Sequence, residues 1–121
     1  MPYVLVVDDN QEAANAIADV VRLLGWQAEV APGPRAALHA VQRVPPALIL
    51  LDLNMAGISG LEVLKFIKRD PSLIDIPVVF VSAEDDPETQ QKTREAGALD
   101  YLVKPVDLDR LEAILEKAGR K

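Results

Sequence analysis

The chain has 121 residues, half of them apolar and 26% charged, a size and balance expected of one folded domain over residues 1–121. It has no cysteine and one histidine, His39, which excludes disulfides, thiol catalysis, thiolate metal sites and a histidine-rich metal centre. A net charge of −6 disfavours a nucleic-acid partner, no apolar run approaches the roughly 20 residues of a membrane span, and MPYVLVVDD lacks a signal peptide's basic start, so a cytoplasmic protein is expected.

Apolar runs alternate with helical patterns along the chain. YVLVV (Tyr3 to Val7) reads as a strand. QEAANAIADVVRLLG follows as a helix, with Ala13, Ile17, Val20, Val21 and Leu24 at helical spacing and Gly25 as its stop. QAEVA (Gln27 to Ala31) alternates polar and apolar, so Gln27 and Glu29 are expected to be partly wet. Pro34 to Arg43 is a helix with proline in its first turn. ALILL (Ala47 to Leu51) is a strand, and Ser59 to Glu62 forms a capping-box pattern that opens the helix LEVLKFIKR. PVVFV (Pro77 to Val81) is the fourth strand, and Pro87 to Ala96 is a helix ended by Gly97. DYLV (Asp100 to Val103) is the fifth strand, and Asp107 caps the closing helix LDRLEAILEKA. Met55 and Ile58 are expected in the core and His39 on an exposed helix face.

Five β-α repeats imply an α/β fold with a parallel sheet and helices on both faces. Three strands are apolar throughout, as strands covered on both sides must be. The alternating QAEVA belongs at an edge, where the order 2-1-3-4-5 puts it. That is the doubly wound, flavodoxin-like arrangement. Ligands bind such sheets at the carboxyl ends of the strands. Asp8 and Asp9 follow the first strand, Asp52 and Asn54 the third, Ser82 and Glu84 the fourth, and Lys104-Pro105 the fifth. The second strand is followed only by Pro32 and Gly33. The predicted order therefore gathers three aspartates, a hydroxyl and a lysine around one crevice. Taken singly, Asp8, Asp9 or Asn10 could cap a helix, Ser82 could serve a turn and Lys104 could be a solvated charge. Together they lie at the same end of adjacent strands.

Two carboxylates ~4 Å apart repel by about 4 kcal/mol at an effective dielectric near 20. Three of them raise one another's pKa values, and one lysine does not balance them. A divalent cation does, and an all-oxygen site suits Mg2+ or Mn2+. A carboxylate beside such a cation can attack phosphorus and become an aspartyl-phosphate. Ser82 and Lys104 supply a hydroxyl and a cation for the phosphoryl oxygens.

With these residues in these places, the chain resembles the receiver domain of two-component response regulators, nearest in shape to the single-domain chemotaxis regulators. The stretch Asp52-Leu53-Asn54-Met55-Ala56-Gly57-Ile58-Ser59-Gly60 follows the family's Asp-x-x-Met-Pro-x-apolar-small/acidic-Gly pattern, except that Ala56 stands where proline is usual. This departure is expected to loosen the loop. The resemblance implies that Asp52 is the phosphoacceptor and that Asp8 and Asp9, with the backbone carbonyl of Asn54, hold Mg2+. It further implies that Ser82 and Tyr101 form the switch, that Lys104-Pro105 has a cis peptide bond, and that Asn54 and Glu84 tune loss of the phosphoryl group. The implied partners are a histidine kinase or histidine phosphotransfer protein as donor, and an output protein or effector domain. Both a stand-alone regulator and a receiver belonging to a longer protein fit. On phosphorylation Ser82 would move toward the phosphoryl group, Tyr101 would swing inward, and the face of the fourth helix, fifth strand and fifth helix would change. The fourth helix, PETQQKTREA, is polar almost all round, so it should be held by its caps and by pairs such as Glu88 with Lys92.

Three other readings compete. An aspartate-nucleophile phosphatase of the haloacid-dehalogenase type needs an acid-base aspartate two residues after the nucleophile, where this chain has Asn54. A dinucleotide binder needs a glycine-rich loop after the first strand, where this chain has DDNQ. A receiver-like binding module that works without phosphorylation usually lacks part of the acidic pair, acceptor and lysine, all of which are retained.

Overall fold

The computed structural model describes residues 2–119. Five strands, β1 (Tyr3–Val7), β2 (Gln27–Ala31), β3 (Leu48–Asp52), β4 (Val78–Ser82) and β5 (Asp100–Val103), alternate with five helices. These are α1 (Gln11–Leu23), α2 (Pro34–Arg43), α3 (Gly60–Arg69), α4 (Pro87–Glu95) and α5 (Leu108–Gly119). All four strand pairings are parallel and the order is β2-β1-β3-β4-β5, as expected. The edge strand β2 exposes Gln27 and Glu29. Among the described residues no helix is long and apolar enough to cross a membrane.

The period-2 alternation of the strands splits the core in two. Leu5, Val7, Ile49, Leu51, Val78, Phe80 and Tyr101 pack with α2 and α3. Val4, Val6, Leu48, Leu50, Val79, Val81 and Leu102 pack with α1 and α5. Two strands sit one residue later than the hydropathy pattern suggests. Pro77 lacks an N–H and joins the ladder only through its carbonyl, which accepts from Ile49. At the other end, pairing in β4 runs on to Ser82, and pairing in β3 runs on to Asp52 opposite Val81. The shift puts two polar site residues inside the sheet instead of in the loops after it.

Other expectations are refined. The face of α1 against the sheet is centred on Ala14, Ala18 and Val21, with Ala13, Ile17, Val20 and Leu24 flanking it half-buried. The two alanines meet the sheet directly and leave the larger residues at the sides. Asn10 caps α1, accepting from the Ala13 N–H, and Asp107 caps α5, accepting from the Asp109 and Arg110 N–H groups. Ser59 Oγ accepts from the Glu62 N–H at 3.4 Å, but no reciprocal bond from the Ser59 N–H to the Glu62 side chain is made among the described residues. Met55 packs half-buried against the core, whereas Ile58 is 36% exposed, because it lies on the outside of the loop after β3. His39 is exposed.

Helix α4 buries only Thr93, whose hydroxyl donates to the Gln90 carbonyl. Its N-terminus is capped by Asp86, which accepts from the Glu88 N–H and the Thr89 hydroxyl. The expected Glu88–Lys92 ion pair is not formed among the described residues. Gln91 bonds instead to Glu95 and Arg94, four and three residues on.

Gly60, the first residue of α3, lets the helix start directly against the strand that carries Asp52. A Cβ there would run into the Asp52 carbonyl oxygen and the Phe80 ring. Gly60→Ala is expected to cost about 3 kcal/mol in urea unfolding, as for overpacking against a backbone that cannot yield. A change below ~0.5 kcal/mol would contradict this packing.

Candidate functional site

The carboxyl ends of β1, β3, β4 and β5 deliver the polar residues to one crevice. Asp8 is 3% exposed and Asp52 8%, while Asp9 is exposed. One carboxylate oxygen from each of the three lies within 4.8 Å of the others. Asp8 Oδ1 accepts from the Asn10 N–H at 2.9 Å, and its Oδ2 accepts from Lys104 Nζ at 3.2 Å. Lys104 thus spends its charge on Asp8 in this state. Asp52 Oδ1 receives a long bond of 3.4 Å from the Asn54 N–H. Burial above all, and then the Asp8 carboxylate, push the Asp52 carboxyl up to about 6, against the lowering influence of Lys104 and the Asn54 N–H. The donor set is all oxygen, crowded and short of positive charge, which fits Mg2+ or Mn2+. The residues able to hold the ion are Asp8, Asp9 and Asp52.

Ser82 and Tyr101 form a second group. Ser82 follows Phe80 on the α2–α3 side of the sheet, while Asp52 follows Leu48 and Leu50 on the α1–α5 side. Ser82 is 1% exposed, and its Oγ accepts from the Glu84 N–H at 3.1 Å. No hydrogen bond joins it to Asp52 among the described residues. Tyr101 pairs in register with Phe80, with ring centroids 6.4 Å apart. Its hydroxyl donates to the Glu84 carbonyl at 2.8 Å, and the ring is 4% exposed. Burial raises the phenol's pKa and the neighbouring Ser82 hydroxyl works against it. The expected inward swing of Tyr101 therefore starts from a ring that is already inside.

The rim is tied across. Asn54 Nδ2 donates to Glu84 Oε2 at 2.9 Å, so the two residues assigned to tuning are partners over the crevice. The Ala56 N–H donates to Asp9 Oδ2 at 2.8 Å, a tie that offsets the looseness expected of a loop without proline. The Lys104–Pro105 peptide is cis. The Ala56 and Glu84 backbone contacts leave no trace in the side-chain pattern of the sequence. The one signal for the first was the missing proline, because proline has no N–H to give.

The raised pKa of Asp52 has a stability consequence. Between about pH 4 and 6 the unfolded carboxyl ionises while the folded one keeps its proton, so this group's contribution falls as pH rises through that window. The loss is on the order of 2–3 kcal/mol and complete above about pH 6. In chelator, Asp52→Asn is expected to be about 2 kcal/mol more stable than the parent in urea at pH 7.5, and equal to it near pH 4. Equal stability at both pH values would contradict the raised pKa.

Residues 4–116 match the response regulator receiver domain family. The chain is 39% identical over 116 residues to the transcriptional regulatory protein ZraR of Escherichia coli (strain K12), covering 95% of this chain and 26% of that protein. It is 32% identical over 120 residues to the phosphate regulon transcriptional regulatory protein PhoB of Pseudomonas aeruginosa, covering 96% and 52%. It thus spans about a quarter to a half of these relatives. Among solved structures, Vibrio cholerae chemotaxis protein CheY4 superposes with a TM-score of 0.89 at 28% identity over 98% of both chains. The receiver domain of NtrX from Brucella abortus does so with a TM-score of 0.86 at 32% identity, over 95% of this chain and 96% of that one. The chain belongs to the response regulator receiver domain family of two-component systems.

Proposed function

We propose that this receiver is a phosphoryl-accepting switch of the cytoplasm, with Asp52 as acceptor, Ser82 and Lys104 as the groups that meet the phosphoryl oxygens, and a divalent cation held by Asp8, Asp9, Asp52 and the Asn54 carbonyl. The observation that carries the proposal is the crowding of Asp52 with two further carboxylates beside one lysine. Mg2+, or Mn2+ in its place, would supply the charge that lets a carboxylate approach an anionic phosphoryl group. The donor is a phosphohistidine on a histidine kinase or a histidine phosphotransfer protein. Its P–N bond breaks, a P–O bond to the Asp52 carboxylate forms, and the leaving imidazole takes a proton. Hydrolysis by the receiver itself later returns inorganic phosphate and the free carboxylate.

Each residue's surroundings support its role. Asp52 must be ionised to attack, and a neighbouring cation would lower its pKa from about 6. Lys104 can turn from Asp8 to the phosphoryl oxygens when a cation takes up the charge of Asp8. Turning Ser82 toward a phosphoryl group would stretch the bond its Oγ accepts from the Glu84 N–H. That bond and the Tyr101 hydroxyl converge on Glu84, so moving Ser82 disturbs the lead into α4. Helix α4, with Thr93 as its one buried residue, offers little resistance. The α4–β5–α5 face then changes its affinity for an output protein or effector domain. The Asn54–Glu84 bond lies where it would limit how water reaches Asp52, which gives these two residues a tuning role. Asn54 carries an amide, which has no proton to exchange at working pH, so it is unsuited to acid-base work, which disfavours a phosphatase.

Incubation with Mg2+ and a small acyl-phosphate donor, quenched rapidly and weighed intact, is expected to add one phosphoryl group. The addition should vanish in Asp52→Asn and in chelator. No addition under rapid quench would leave a binding module that works without phosphorylation. Equal labelling of Asp52→Asn would move the acceptor elsewhere.

A further inference from the structure

The bond between the Ala56 N–H and Asp9 is a feature of this chain's own sequence. A proline at position 56 would have no hydrogen to donate. The bond crosses from the loop after β3 to the loop after β1, 47 residues apart in sequence. At 2.8 Å, with an ionised acceptor, it is a charge-assisted bond of good length. It is also the one hydrogen bond that fixes the Asp9 side chain among the described residues. Asp8, by comparison, is held by both the Asn10 N–H and Lys104.

Both partners are exposed, so the bond adds little to folding stability. What it does is select an orientation. A free, exposed aspartate samples several rotamers, and most of them carry the carboxylate away from its two neighbours. The carboxylate has about four lone-pair directions on two oxygens. One N–H on Oδ2 therefore leaves ample capacity for a cation. Groups that orient a metal-binding side chain in this way typically matter tenfold or more in affinity. The donor is itself braced: the loop carrying Ala56 is tied by Asn54 to Glu84 and by the Gly60 N–H to the Leu53 carbonyl at 2.8 Å.

We propose that the Ala56 backbone N–H is a positioning group for Asp9, holding its carboxylate in the acidic cluster before the cation arrives. The inference rests on the reading of Asp8, Asp9 and Asp52 as a cation site, and it adds the device that keeps the exposed member of the three in place.

Mn2+ affinity of the whole chain, read by calorimetry at pH 7.5, tests it through Ala56→Pro and Ala56→Ser. The proline variant loses the N–H; the serine variant keeps it. Ala56→Pro is expected to bind Mn2+ about tenfold more weakly than the parent, and Ala56→Ser within twofold of it. Parental affinity in Ala56→Pro overturns the proposal. So does an equal loss in Ala56→Ser, which would make the effect one of side-chain packing. A parent chain that binds no Mn2+ would remove the cation site, and this role with it. Should Ala56→Pro not fold, amide exchange decides: the Ala56 N–H should be protected in the parent and exchange at least fivefold faster in Asp9→Ala. Unchanged exchange there overturns the proposal.

Discussion

Electrostatic crowding at the carboxyl edge of the sheet is the constraint on which the rest depends. Asp8 and Asp52 are buried, Asp9 stands at their side, and among the described residues Lys104 is the one cation bonded within the group. A fold that carries such a cluster gives up stability to keep it, as the raised pKa of Asp52 records. The cost becomes useful if the site meets a cation and then a phosphoryl group. A cation would turn the repulsion among the carboxylates into attraction and would then offset the charge of an incoming phosphoryl group.

The sheet makes the cluster and also divides it. Parallel strands in the order 2-1-3-4-5 bring the ends of β1, β3, β4 and β5 side by side. Because β3 runs on to Asp52 and β4 to Ser82, the alternation of side chains assigns the two residues to opposite faces. Asp52 and its neighbours form the chemical half. Ser82, Glu84 and Tyr101 form a hydrogen-bonded half that leads to α4. On the proposed reading, a movement of Ser82 would link the two halves, and the helix beyond it buries only Thr93.

Much of this was legible in the sequence, for physical reasons. Unbroken apolar runs at YVLVV, ALILL and PVVFV mark strands covered on both faces, and the alternation in QAEVA marks an edge, where the order 2-1-3-4-5 puts it. Reading the residue after each strand then recovered the crevice. Hydropathy, however, cannot see where a ladder stops. By hydropathy Asp52 and Ser82 belong after their strands because they are polar, whereas backbone pairing carries the strands through them. Backbone donors and acceptors were equally invisible: the Glu84 carbonyl that holds Tyr101 and the Ala56 N–H that holds Asp9 leave no mark on side-chain patterns. Helical spacing permits a Glu88–Lys92 contact without selecting it over competitors such as Gln91 with Glu95.

On the proposed reading the three carboxylates share a divalent cation. Thermal unfolding at pH 7.5, with Mg2+ titrated at constant ionic strength, decides whether they do. A ligand that binds only the folded chain raises its stability by mass action, about 2.7 kcal/mol at a hundredfold excess over its dissociation constant. The unfolding midpoint should therefore climb with the logarithm of Mg2+ concentration, and the climb should be lost in Asp8→Asn. A midpoint indifferent to Mg2+ through tens of millimolar, or an undiminished climb in Asp8→Asn, would contradict the claim.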